Sequence, residues 1–195
     1  MKYAVVINRE YGSGGRLIGK DVANRLGIQF YDNELIRLTA DESGFSEEYV
    51  RETAEKKTVS LLYSLYMTGL PASDRLFIAQ SQVIREVAEK ESCVIVGGCA
   101  DYVLKNMDNL VKVFIHAPFE DRVRRVQNEY NETVPDNNYK NYVTRMDKKR
   151  ITYYRYFTQN KWGRAGDYNI TLDSTGGINI CTALIETYIR NFLKF

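Results

Sequence analysis

Tyr3-Ala-Val-Val-Ile-Asn-Arg-Glu-Tyr-Gly-Ser-Gly-Gly-Arg-Leu-Ile-Gly-Lys20 decides the fold. From Tyr3 to Ile7 the run is almost continuously apolar before Asn8, Arg9 and Glu10 close it, the pattern of a strand buried on both faces of a parallel sheet. Gly12, Gly14 and Gly15 follow, and Ile18, Val22 and Leu26 then recur every four residues, so a helix has begun by about residue 15. A strand, a glycine loop and a helix in that order form a natural anion cradle. Glycines let backbone N–H groups converge with no Cβ in the way, and the helix adds unpaired N–H donors and the positive end of its dipole.

Gly14 to Lys20 also fits the G-x-x-x-x-G-K part of the Walker A pattern, with Asp21 where Ser or Thr should hold magnesium. The helical spacing of Ile18 argues against that register, since Leu17 and Ile18 then lie inside the helix. The functional loop is Tyr11 to Arg16, with Gly12, Ser13, Gly14 and Gly15 as cofactor-binding positions. Arg16 stands at the helix entrance and Lys20 one turn later on the same face. Helical side chains lean toward the N-terminus, so both favour an anion there. A glycine-rich turn that binds nothing is the alternative.

Working outward, Cys93–Val96, Val111–Ile115 and Tyr168–Leu172 have the same buried-strand character, and Gln29–Tyr31 is a shorter candidate. Helical spacing appears at about 15–26, 33–43, 46–56, 59–67, 73–91, 119–130, 137–160 and 177–194. Strands separated by helices predict βαβ units, a parallel sheet and an α/β fold over residues 1–195 as one domain. The excursion 33–91 reads as a helical lobe over one sheet edge. The second excursion, 136–164, is dense in Arg, Lys and Tyr and reads as a mobile flap or a solvated helical arm.

The chain has 195 residues, 27 Lys+Arg against 25 Asp+Glu, and a net charge of +2 with both signs interspersed, which gives no support to nucleic-acid binding. Cys93, Cys99 and Cys181 show no C-x-x-C spacing and have only His116 as an imidazole partner, which argues against a zinc site and a disulfide framework. No apolar run approaches membrane-spanning length, and no export signal is read, so the expectation is a cytoplasmic protein without membrane partners. An apolar helix within 58–91 would serve a homodimer, with core packing as the alternative.

Taken in order, several motifs resemble the cytidylate kinase-like group of P-loop NTPases, relatives of the nucleoside monophosphate kinases. They are Val6-Ile-Asn-Arg-Glu-Tyr-Gly-Ser-Gly-Gly-Arg16 with Gly19, Leu26-Gly-Ile-Gln-Phe-Tyr-Asp32, Val94-Ile-Val-Gly-Gly-Cys-Ala-Asp101, Val113-Phe-Ile-His-Ala-Pro-Phe-Glu-Asp-Arg122, and Asp147-Lys-Lys-Arg150. The resemblance implies a three-layer α/β/α P-loop fold, ATP and Mg²⁺ as cofactors, and transfer of the γ-phosphoryl group to a nucleoside monophosphate such as CMP. It places Asp32, Arg37 and Arg122 on the acceptor side, makes 33–91 the acceptor-binding lobe and 136–164 the lid, and puts Arg150 over the transferring group. Arg16 and Arg150 are the expected catalytic residues. Against authentic cytidylate kinases, Gly15 stands at the loop lysine, Leu17 at the Ser/Thr and Gly98 at a strand-end arginine. Arg16 or Lys20 would then supply the charge, and the metal ligands stay unassigned. A kinase for a non-nucleotide small molecule, and a nucleotide-binding sensor without turnover, are the alternatives.

Weaker candidates each have a plainer reading. Asp101 could hold magnesium through water or act as a helix cap, and His116 reads as a packed residue. Arg124 and Arg125, which the resemblance also sets near the acceptor nucleotide or its phosphate, read more as solvated helix face. The tyrosines of 136–164 read as packing more than base stacking.

Overall fold

A computed structural model describes residues 2–32, 71–130 and 132–194. Five parallel strands form its sheet: β1 (Ala4–Arg9), β2 (Gln29–Asp32), β3 (Cys93–Val96), β4 (Leu110–His116) and β5 (Ile170–Asp173), in the order β2-β3-β1-β4-β5. Helices α1 (Gly15–Leu26), α2 (Ala72–Lys90), α3 (Ala100–Val103), α4 (Phe119–Glu129), α5 (Tyr139–Thr158) and α6 (Ile178–Leu193) lie between and after them. This is the α/β/α arrangement expected from the sequence. Helix α3 is an addition, too short to give a periodic signal.

The two faces of β1 explain why its run is continuously apolar. Val5 and Ile7 pack with Ile18 and Val22 of α1 and with Cys181, Ile185 and Ile189 of α6. Ala4 and Val6 face the other way, onto Ala79, Val83, Ile84 and Ala88 of α2 and onto Ile95 and Leu104. Alternate side chains thus enter different cores, and neither face can be polar. A smaller third cluster joins Tyr11, Val123 and Val126 to Val143 of α5.

Register fixes where the functional end lies. Arg9 pairs with Ile115, Asp32 with Val96 and His116 with Asp173, so the strands end near one level. Because β1 lies between β3 and β4, the chain leaves it toward β2 on one side while β4 and β5 are added on the other. Such a switch point opens a crevice beyond the strands' C-terminal ends, where ligands of open α/β sheets bind. The glycine loop leaves β1 at that point. Arg37 and the helices expected at 33–43, 46–56 and 59–67 lie outside the described residues, as does the part of the 33–91 lobe before residue 71.

Candidate active site

Helix α1 begins where the sequence places it. Gly14 is its N-cap with φ 79°, and Gly12 has φ 80°, both in the left-handed region that glycine adopts without penalty. A Cβ on Gly12 would lie 2.5 Å from the Arg122 carbonyl oxygen, and one on Gly15 would lie 2.6 Å from the Arg9 Cβ. The loop therefore needs glycine for its backbone conformation and for close packing.

The loop is held from outside by helices α4 and α5. Asp147 accepts the Tyr11 N–H at 2.7 Å on one oxygen and Arg122 Nη1 at 2.5 Å on the other. Arg122 also donates to the carbonyls of Tyr11 and Ala117, at 3.1 Å each, and its Nε is 3.2 Å from Glu10. It is only 7% exposed and its charge is shared between two carboxylates. Here Arg122 shapes the loop, and it lines neither of the cavities described below. Arg125, read from the sequence as helix surface, donates to the Gly12 carbonyl at 2.8 Å. Ser13 is fully buried: its hydroxyl donates to the Glu10 carbonyl at 2.8 Å, and its own carbonyl accepts from Ser174 at 2.6 Å. Its N–H also donates to the Glu10 carbonyl, at 3.3 Å, so Ser13 braces the loop.

Two cavities flank this loop. One, of about 270 Å³, is lined by Gly12, Gly15, Arg16, Tyr130, Glu132 and Arg150, among others. The Tyr11 hydroxyl donates to the Glu132 carboxylate at its edge, and the Tyr130 hydroxyl accepts from the Gly14 backbone. Burial, the bond to Glu132 and the Glu132 charge all push the Tyr11 phenol upward, so it stays a donor. The second cavity, of about 420 Å³, lies between the ends of β1 and β3 and helices α2 and α5. Asn8, Gln80, Gly97, Lys149, Tyr153 and Trp162 are among its walls. Arg9 and Arg150 line both cavities.

Arg150 donates through Nη1 to the Arg9 carbonyl at 2.9 Å and lies 4.8 Å from the centre of the Tyr11 ring. Burial lowers its pKa, and the Asp147 charge opposes that shift. Arg16 leans across the loop mouth to Asp32, Nε to Oδ2 at 2.6 Å, with 62% of its side chain exposed. Lys20 is exposed and lines neither cavity.

The remaining candidates divide clearly. Asp101 accepts from the Tyr154 hydroxyl at 2.7 Å, while its other oxygen is buried without a hydrogen-bond partner. Cys99 is buried in a left-handed conformation beside Asp101, and burial pushes its thiol up to about 12, so no thiolate nucleophile is present there. His116 ends β4 beside Asp173. Of the flap tyrosines, Tyr139 and Tyr142 pack around Tyr11, Tyr153 reaches Gln80, and Tyr156 is exposed.

The sequence reading gave no role to Arg9, although a charged residue closing a buried strand at the sheet's C-terminal edge is a usable signal. In sequence Asp147 is only one residue of the Asp147-Lys-Lys-Arg150 motif, and its partners Arg122 and Tyr11 become visible only in three dimensions.

A glycine cradle flanked by guanidinium groups fits a polyphosphate. Among the described residues, no group of three or more His, Cys, Asp or Glu could hold a metal ion. Asp32, at the loop mouth, is paired with Arg16 and lines neither cavity.

The model of the cytidylate kinase-like family matches residues 4–176. No curated protein sequence matches the chain. An uncharacterized protein from Eubacterium ventriosum ATCC 27560 superposes with a TM-score of 0.74 at 27% identity, over 96% of this chain and 98% of its own. Shikimate kinase from Acinetobacter baumannii, solved in complex with shikimate, gives 0.53 at 15% identity over 100% and 94%. A gluconokinase from Sinorhizobium meliloti 1021 gives 0.57 at 14% identity over 97% and 93%. At those identities the two kinases speak for the fold. Among the described residues no helix is long and apolar enough to cross a membrane.

Proposed function

The chain belongs to the cytidylate kinase-like family, and from that premise we propose that it is a cytoplasmic ATP-dependent kinase that transfers the γ-phosphoryl group to a nucleoside monophosphate such as CMP. The observation that carries this reading is the position of Arg150. From α5 it touches the last residue of β1 and lines both cavities, so a donor in one and an acceptor in the other would meet beside it.

Phosphoryl transfer asks a protein for alignment and charge neutralisation more than for covalent chemistry. The backbone of Gly12 to Gly15 would receive the donor phosphates. Arg16, oriented by Asp32, would hold them at the mouth, and bound Mg²⁺ would supply further charge neutralisation there. The larger cavity would take the acceptor, with Lys149 favouring an anionic one and Tyr153 and Trp162 offering flat surfaces to a base. In this reading 33–91 is the acceptor lobe, with Arg37 in it, and 136–164 is the lid that excludes water.

Two observations keep other acceptors and a non-catalytic role in the test. Kinases of small hydroxylated acids share the fold, and the loop has neither a lysine nor a free Ser/Thr hydroxyl. The experiment is a coupled ADP-release assay with ATP, Mg²⁺ and a panel of nucleoside monophosphates, shikimate and gluconate, beside a thermal-shift titration of each. Release that depends on one acceptor supports the kinase and names its substrate. Stabilisation by ATP with no release under any acceptor supports a sensor.

A further inference from the structure

Arg9 is an unusual charge among the described residues. It closes β1, and its side chain runs past two glycines that leave it room: a Cβ on Gly15 would crowd its Cβ, and one on Gly97 would overlap its Nη1. Among the described residues no carboxylate lies within ion-pair distance of it. Asp32, the carboxylate whose charge is felt there, is instead paired with Arg16. Its neighbour is a second guanidinium, Arg150, which holds the Arg9 carbonyl. Both line the two cavities.

Two half-buried guanidinium groups that line the same two cavities are an unfavourable arrangement unless an anion joins them. Burial lowers the Arg9 pKa first of all, and the charges of Arg150 and Arg16 push in the same direction. By contrast, Arg122 has Asp147 and Glu10, and Arg16 has Asp32. Glu10, Glu129 and Glu132 line the loop cavity beside Arg9, Arg16 and Arg150, whereas Arg9, Lys149 and Arg150 line the larger cavity with no carboxylate among the described residues, so the uncompensated charge faces the larger cavity at its boundary with the loop.

We infer that Arg9 and Arg150 form a binding site for a phosphate-type oxyanion at that boundary, with Arg9 supplying from the preceding strand the inner cation that the loop itself lacks. Planar guanidinium forks match the edges of a tetrahedral oxyanion, so the pair would grip a terminal phosphate from two directions. Inorganic tripolyphosphate presents the same chemistry without a base or sugar. The assignment deepens the kinase reading and rests on it only for naming the phosphate as the transferred one.

The test titrates tripolyphosphate calorimetrically, at low salt, into the wild type, Arg9→Gln, Arg9→Lys and Arg124→Gln. Arg124 is an exposed surface arginine, which makes the last variant a control for simple loss of charge. The expected result is binding by the wild type, a loss of about tenfold or more in Arg9→Gln, a loss of about threefold to tenfold in Arg9→Lys, and no change in the control. Wild-type affinity in Arg9→Gln, or no binding by the wild type, overturns the inference. If Arg9→Gln fails to fold, Arg9→Lys decides: unchanged affinity there overturns it. ADP release measured on the same proteins separates the two readings. Binding through Arg9 without transfer to any acceptor removes the kinase and leaves this site standing, whereas turnover with affinity indifferent to Arg9 does the reverse.

Discussion

Arg122 and Asp147, 25 positions apart in the chain, meet at 2.5 Å, and between them they hold both the N–H and the carbonyl of Tyr11. This contact couples α4, α5 and the glycine loop, so the helix carrying Arg150 is fixed to the loop it covers. Removing Asp147 leaves Arg122, 7% exposed, with Glu10 as its one remaining carboxylate among the described residues.

Asp147→Ala should therefore destabilise the protein by about 3 kcal/mol, since breaking a buried pair on one side strands the other charge. Urea denaturation at pH 7 measures it. A loss below about 0.5 kcal/mol would show that the contact carries no weight in the folded state.

Gly12 and Gly27 both have positive φ, 80° and 65°, but only Gly12 is hemmed in. A Cβ on Gly27 meets nothing within 4 Å, whereas one on Gly12 lies 2.5 Å from the Arg122 carbonyl. Gly27→Ala should cost about 1 kcal/mol for the left-handed conformation alone. Gly12→Ala should cost at least about twice that and also weaken ATP binding, because the collision moves the loop. Equal losses in the two variants would contradict this packing.

Burial raises the Cys93 and Cys99 thiols from 9.0 to about 12. Between those values the unfolded chain has released protons that the folded chain still holds. The stability these thiols contribute is complete below pH 9 and is lost as pH rises toward 12, on the order of 1 kcal/mol per pH unit for each thiol. Urea midpoints at pH 8, 9.5 and 10.5 should fall accordingly. At pH 8 a disulfide-exchange reagent should find no fast-reacting thiol among the three buried cysteines; rapid stoichiometric labelling would exclude this burial.

If Arg150 closes over the transferring group, Arg150→Ala should lower kcat about 10²- to 10³-fold, a larger change than the roughly tenfold rise in KM for ATP that loss of its hold on the terminal phosphate brings. Arg16→Ala should likewise reduce turnover more than nucleotide affinity, because Asp32 holds Arg16 at the mouth of the loop and not deep in the cradle. Steady-state kinetics with the acceptor identified by the panel reads both. A variant that alters KM alone would reduce its arginine to a ground-state contact.

The strands and the start of α1 were legible because burial on both sheet faces leaves a periodic trace: Val5 and Ile7 face one core, Ala4 and Val6 the other. The glycine loop was legible for a related reason, since a backbone that must turn left-handed twice and admit the Arg122 carbonyl leaves glycines at fixed places. The electrostatic partners were not legible. Arg125 looked like helix surface until the Gly12 carbonyl, 113 positions earlier, was seen to accept from it. Arg16 and Arg9 are both loop-flanking arginines in sequence, yet one faces Asp32 and the other Arg150. Periodicity reports which side of an element is buried; it says nothing of which charge stands across the crevice.

The central claim, that this site moves a phosphoryl group to an acceptor, is tested most directly by ³¹P NMR of ATP and Mg²⁺ with the wild-type protein and the acceptor panel. The account predicts loss of the γ-phosphate resonance together with a new acceptor phosphate resonance, absent when the acceptor is left out and slowed about 10²-fold or more by Arg150→Ala. ATP that stays intact with every acceptor, or that yields only inorganic phosphate, would contradict it.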